Sequence, residues 1–406
     1  MYKLFLPLWL AAWPACALAV VEPSVPLTLP AALALADRSH PELAAARHDL
    51  LAEDGVVQQA GLLPNPSLSL ERVDTRRDTR ETTIQLSQPL ELGGKRAARV
   101  QAAQRGREGV AALLAQRRAE VRAETAAAWF AVLAAQEQLR LAQQASELAL
   151  RAATATGRRV VAGKVSPVEE TRAQVAASTV KLELIRAHSS LVTARAKLAS
   201  LWGNPSPRFD AVAGEIAALP ELAPLAEQRA LLAQAPAMQV ARAELEHRQA
   251  LAKVELSRRT PDVALNIGSK RSEELGRTQA VFGVSVPLPL FDRNQGAVLA
   301  TARQVDKARD GLTAAASRLE ADLVAAREEY ASARAQAMAL QSEILPGAQS
   351  AYEAASTGFE YGKFGFLDVL DAQRTLLQAQ SHYLTTLADA HRAQAAISRI
   401  LGAEHE

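Results

Sequence analysis

Residues 62–73 read LLPNPSLSLERV and residues 82–96 read TTIQLSQPLELGGKR. Leu68 and Leu70 alternate with Ser67, Ser69 and Glu71, and Ile84 and Leu86 alternate with Gln85 and Ser87. Apolar residues at a period of two mark a strand with one greasy face. The same pair of stretches returns as RTPDVALNIGS at 259–269 and TQAVFGVSVPLPLFDRNQG at 278–296. There Val263, Leu265 and Ile267 alternate with Ala264, Asn266 and Gly268. Ala280, Phe282, Val284 and Val286 face one way, with Gly283 and Ser285 opposite. Charged breaks, DTRRDTRE at 74–81 and KRSEELGR at 270–277, separate the strands of each pair.

Working outward, the recurrence covers the chain. Pro66 falls on Pro261, Pro89 on Pro287, Gly163-Lys164 on Gly362-Lys363 and Gly203 on Gly402, offsets of 195 to 199 residues. A short helical segment precedes each hairpin, with His40-Pro41-Glu42 in the first half and Ala235-Pro236-Ala237 in the second. A long helical run, a glycine turn and a closing LASLWG or ISRILG follow. A duplication of this kind sets the architecture at helix, hairpin, long helix, helix, taken twice. The expected layout is a leader over 1–19 and a first repeat over 20–203, with its hairpin near 66–90 and long helices near 95–202. A proline-rich connector over 204–224 leads to a second repeat over 225–406, with its hairpin near 261–290 and long helices near 295–402.

The composition suits that layout. About a fifth of the residues are alanine and aromatics are scarce, which favours long, closely packed helices. A formal net charge of +2, with basic and acidic residues interleaved, gives no electrostatic footprint for nucleic acid. The chain opens with Lys3, an apolar stretch LFLPLWLAAWPA and the small-residue run Ala17-Leu18-Ala19, which reads as an export signal. Cys16, the only cysteine, is either lost with that signal or is the acylated first residue of a lipoprotein. In both cases the exported chain has no disulfide framework.

The strands pose the membrane question. Alternation over about ten residues fits a strand between lipid and a wet lumen, although half-buried hairpins on a soluble domain alternate in the same way. Export and the strongly charged hairpin tips favour the membrane. Four strands cannot span a bilayer alone, because open edges leave backbone groups unsatisfied in hydrocarbon. Such a chain must pool strands with copies of itself: a dimer makes about eight and a trimer about twelve.

The helices extend the assembly. No proline occurs from Leu90 to Ser166, and Leu114, Val121, Ala128, Ala135, Ala142 and Ala149 form a heptad ladder there. About sixty helical residues span roughly 90 Å, and small residues at a seven-residue repeat bring neighbouring helices close. A long soluble coiled coil would explain the ladder equally well, but not the strands between the helices. Pro346-Gly347 interrupts the matching run, where a kink or break is expected.

The stretch ILPGAQSAYEAASTGFEYGKFGFLDVLDAQRTLLQAQSHYL at 344–384 resembles the signature of TolC-like outer-membrane efflux proteins, and GKVSPVEETRAQV at 163–175 resembles the matching first-repeat turn. The likeness covers essentially all of the mature chain. It implies a mainly α fold with a membrane β-barrel part: a homotrimer with a twelve-strand outer-membrane barrel and a long α-helical periplasmic tunnel. The segments ELGGKR and VPLPLFDRNQG are most similar to the cobalt–zinc–cadmium resistance branch.

The resemblance places the working end at the periplasmic tip, where the long helices turn back. Gly163, Gly362 and Gly365 are expected to permit the reversals, and Gly163, Lys164, Val165, Ser166, Gly362, Lys363 and Gly365 to form the turns on which an adaptor docks. Asp368 and Asp371 project from one side of the returning helix. They match the aspartates that line the family's tip constriction, though acidic residues in a first helical turn are also favoured by the helix dipole. Glu169 matches an acidic gate position; the gate arginine falls on Phe364 and the gate tyrosine on Phe359, so closure is expected to be partly apolar.

Enzymatic chemistry has no foothold: the seven histidines are scattered, and none shows helical metal-pair spacing. No cofactor is expected. The implied role is an exit duct for divalent metal cations (cobalt, zinc, cadmium) in a tripartite system, with a periplasmic adaptor, an inner-membrane resistance-nodulation-division pump and outer-membrane lipid as partners. A duct for organic drugs or a secreted protein, and a non-channel coiled-coil envelope protein, are the alternatives.

Overall fold

The structure is a computed structural model, and it describes residues 26–402. The leader expected at 1–19, with Cys16, lies outside the described residues.

Two short helices, α1 (Leu29–Ser39) and α2 (Pro41–Ala60), meet at His40. The sequence reading put His40-Pro41-Glu42 inside one helical segment; it is instead the joint between two. Pro41 cannot donate to the preceding turn but suits the first position of a new helix. The His40 side chain caps α2 by accepting from the Glu42 N–H at 3.2 Å.

Strands β1 (Ser67–Val73) and β2 (Glu81–Leu90) form the first hairpin, and β3 (Val263–Ser272) and β4 (Arg277–Ser285) the second. Between them lie α3 (Lys95–Val161), α4 (Pro167–Ser200), a connector, α5 (Leu225–Leu231) and α6 (Pro236–Ser257). At 67 residues α3 is about 100 Å long. Four rungs of its heptad ladder, Val121, Ala128, Ala142 and Ala149, are buried, while Leu114 and Ala135 are half-buried.

The hairpins join through β2 and β3 into one antiparallel sheet of order β1-β2-β3-β4. The register places Leu68 opposite Leu86, Leu86 opposite Ile267 and Ile267 opposite Phe282. One apolar row thus crosses all four strands. It is exposed, with Leu68 73% and Phe282 76% accessible. The adjacent row, Ser67, Ser87, Asn266 and Gly283, lies on the other face. The tips of the two hairpins are tied by Lys270–Glu81 at 2.7 Å and Arg80–Glu273 at 3.7 Å.

After β4 come α7 (Gln295–Ala339), a π-helical turn over Leu340–Ile344, α8 (Leu345–Glu360) and α9 (Phe366–Leu401). The kink or break expected at Pro346-Gly347 takes the form of this π turn, which interrupts the α-helix without ending it. Pro346 has no N–H to return to the preceding turn, and the wider π turn just before it takes up the mismatch, so the helix runs on.

The main core lies where the connector crosses the long helices. Leu27 forms a parallel bridge with Val212, and the Trp129 indole N–H donates to the Leu27 carbonyl at 2.9 Å. Trp202, Phe209, Val132 and Leu387 complete that cluster. No helix among the described residues is long and apolar enough to cross a membrane.

Candidate functional site: the helical tip

At the end remote from the sheet, α3 turns into α4 and α8 into α9. The two reversals are the same device. Gly163 has φ +68° and Gly362 φ +74°, the left-handed region that glycine enters without steric cost. In the first turn Lys164 N–H bonds to Arg159 O at 2.8 Å and Gly163 N–H to Val160 O at 2.9 Å. In the second, Lys363 N–H bonds to Gly358 O at 2.8 Å and Gly362 N–H to Phe359 O at 3.1 Å. Both are Schellman closures, which satisfy the last carbonyls of the incoming helix.

Gly365 does not share this role. It is the N-cap of α9 with φ −75°, a conformation open to any residue. The returning helices start differently. Ser166 caps α4 through its side chain, accepting from Val168 N–H at 3.4 Å with Pro167 at the first position. On α9 the Asp368 carboxylate reaches back to accept from Gly365 N–H at 2.9 Å.

Asp368 therefore has a capping job as well as an exposed position, whereas the Asp371 carboxylate is exposed one turn on. Among the described residues neither carboxylate is in a salt bridge. Glu169, at the position of Asp368 in the first repeat, pairs with Arg172 at 3.3 Å, and its Oε2 is buried without a hydrogen-bond partner. The first repeat thus offers a compensated pair where the second offers two acids three residues apart.

The aromatic residues divide. Phe359 is half-buried and packs on Phe366, ring centroids 5.7 Å apart. Phe364 is exposed but lies over Gly358, where a Cβ would come within 2.1 Å of its ring. A cation that the sequence reading missed sits here: the Arg159 guanidinium lies 4.4 Å from the Phe359 ring centroid and donates to Phe359 O at 3.2 Å. It bridges the two tip hairpins across 200 residues of sequence. Val161, 90% exposed, and Tyr361, 77% exposed, also escaped that reading, though their place beside the turn glycines marks them. Lys164 and Lys363 are exposed on the same turns and Val165 is half-buried. Among the described residues no group of three or more His, Cys, Asp or Glu side chains is placed to hold a metal ion.

The family model for outer membrane efflux proteins matches residues 32–204 and 228–403. The chain belongs to that family. Cobalt-zinc-cadmium resistance protein CzcC of Cupriavidus metallidurans is 47% identical over 382 residues, covering 94% of this chain and 91% of CzcC. Nickel and cobalt resistance protein CnrC of the same organism is 28% identical, over 75% of this chain and 72% of CnrC. Among solved structures, the CmeC outer membrane channel of Campylobacter jejuni superposes with a TM-score of 0.77 at 17% identity, covering 92% of this chain and 85% of CmeC. That likeness concerns the fold: long helices with a small sheet, as in an outer membrane channel.

Proposed function

We propose that three copies of this chain form the outer-membrane exit duct of a tripartite efflux system that expels divalent heavy-metal cations. The reading is carried by the sheet. Its apolar row faces outward across all four strands, and its edges β1 and β4 have no partner among the described residues. An open edge in hydrocarbon is costly, so the sheet closes by pairing with other copies. Three copies pool twelve strands into a barrel wide enough for a pore, with the helices continuing as a periplasmic tunnel.

A second apolar surface supports assembly. On α4, Val168, Val175, Leu182, Ile185 and Val192 form a stripe at heptad-like spacing that the described residues leave exposed. A neighbouring copy buries it. The tip turns dock a periplasmic adaptor, which links the duct to an inner-membrane resistance-nodulation-division pump, and the pump supplies energy and selects cargo. Metal cargo rests on the kinship with CzcC, through most of the length of both chains. A ring of Asp368 and Asp371 carboxylates suits cations, because a low-dielectric wall focuses its field. The duct carries out no bond chemistry of its own.

Deleting this protein is expected to sensitise its host to zinc, cobalt or cadmium while dyes and detergents have little effect. Unchanged metal tolerance, in a host with no substitute duct, would reject the cargo. Ion conduction in planar bilayers tests the channel separately, against a non-conducting envelope protein.

A further inference from the structure

We propose that the junction between β4 and α7, residues 286–295, is a lipid-seated anchor. It sets Leu288, Leu290 and Phe291 into the acyl–headgroup boundary of the periplasmic leaflet, a glycerophospholipid surface. The inference rests on the barrel reading above and adds a membrane contact outside the strands.

The two repeats differ at this junction. From Pro89 to Gly94 the chain takes five steps, and from Pro287 to Asn294 it takes seven. Gly94 and Asn294 are corresponding points, each the left-handed residue that starts a long helix, with φ +72° and +59°. The first junction is held closer: a Cβ on Gly93 would come within 2.6 Å of Thr260, and Leu90 and Leu92 are only 40% and 42% exposed. The second bulges out and presents Phe291 at 90% exposure, with Leu288 at 74% and Leu290 at 65%.

That bulge is built. Leu290 N–H bonds to Leu288 O at 2.9 Å, and the Arg293 Nε–H to Pro289 O at 3.3 Å. Asn294 N–H donates to the Asp292 carboxylate at 2.8 Å. The Asn294 side-chain amide donates to Glu255 O and to the Glu255 carboxylate, both at 2.8 Å, clamping the turn to α6. Ordered turns in water are usually polar, whereas this one holds three large apolar side chains outward.

Two observations point to lipid as the occupant. The alternation of exposed apolar residues on β4, Phe282 and Val284, carries on along the chain through Val286 to Leu288 and Leu290, so the anchor extends the surface that the barrel gives to hydrocarbon. Arg293, exposed and in no ion pair among the described residues, stands two residues beyond Phe291, where a phosphate would complement it. Apolar side chains beside a cation are the composition that interfacial anchors share.

The test labels the Phe291→Cys variant of the full chain with an environment-sensitive fluorophore in phospholipid vesicles containing nitroxide lipids. Phe282→Cys on the sheet and Glu274→Cys in the β3–β4 turn are the references, and labelled wild type reports any background from Cys16. The label at 291 should be quenched most by a nitroxide near the headgroup, that at 282 most by a nitroxide deep in the acyl chains, and that at 274 by neither. Quenching at 282 without quenching at 291 would overturn the anchor and leave the barrel standing, including where blue-shifted emission at 291 shows that a second copy covers it. No quenching at either would sink the barrel reading itself.

Discussion

The imidazole of His391 lies flat on the ring of Phe130, centroids 3.6 Å apart and planes 7° from parallel, while its Nε2–H donates to the Ile216 carbonyl at 2.8 Å. This contact pins the connector between the repeats to α3 and α9. His391 is 2% exposed, and its Nδ1 is buried with no hydrogen-bond partner among the described residues.

Burial holds the His391 pKa below its ordinary value of 6.5. The sign follows from proton counts. Above that ordinary value both folded and unfolded forms are neutral, so the group contributes no pH dependence. As pH falls through it, the unfolded chain takes up a proton that the folded chain refuses, and stability declines. Burial also lowers the His40 pKa, and that ring caps α2 through the nitrogen that would be protonated. Thermal melting should therefore occur earlier on acidification below about pH 6.5. His391→Phe should be less stable at pH 7.5, by about 1–3 kcal/mol for the orphaned Ile216 carbonyl, with a flatter acid limb. An acid limb as steep as that of wild type would remove His391 from this role.

The Arg159–Phe359 contact joins hairpins that would have to part for the tip to widen. Arg159→Gln removes both the cation–π contact and the charged hydrogen bond, together about 1–2 kcal/mol, or roughly a tenfold shift toward the open form. Larger or longer single-channel openings in planar bilayers are expected, with Phe359→Leu giving a smaller effect. Identical conductance traces for Arg159→Gln and wild type would mean that the contact only packs the tip.

In the trimer proposed above, two carboxylates per subunit would place about six negative charges near the threefold axis, where a low-dielectric wall would focus their field. Asp371→Asn should lower cation selectivity and weaken block by multivalent cations with little effect on folding. Asp368→Asn should do the same and also weaken the cap on Gly365, by about 1 kcal/mol. Reversal potentials under a salt gradient check both. Selectivity unchanged in the double variant would leave the two acids as helix-start residues only.

The α4 stripe bears on assembly. Leu182→Asp puts a charge where a neighbouring copy should bury about 1.5–3 kcal/mol of apolar side chain per site. The variant should lose trimer in detergent, by light scattering, while its helical circular dichroism remains. A fully trimeric variant would place the interface elsewhere.

Local pattern was enough for much of this protein. A two-residue period declares β1 to β4 and their apolar faces, because neighbouring side chains on a strand point to opposite sides whatever the rest of the chain does. Small residues at heptad spacing declare α3, and Gly163 and Gly362 declare their turns, because only a residue without a side chain enters that conformation cheaply. The preceding turn made Asp368 and Asp371 legible as acids at the start of a returning helix, while their proposed role at the tip came from the family resemblance alone. What the tertiary structure decided are relations between distant segments. The pairing of β2 with β3 depends on how two hairpins nearly two hundred residues apart are brought together by the helices between them. Arg159 finds Phe359, and His391 finds Phe130 and Ile216, through the axial register of packed helices, which no local period encodes. Gly365 looked like its neighbouring turn glycines and proved to be an ordinary cap, and Pro346 looked like a break that a π turn absorbs. In both cases the residue type limited the backbone, and the bonds available around it chose among the conformations that remained.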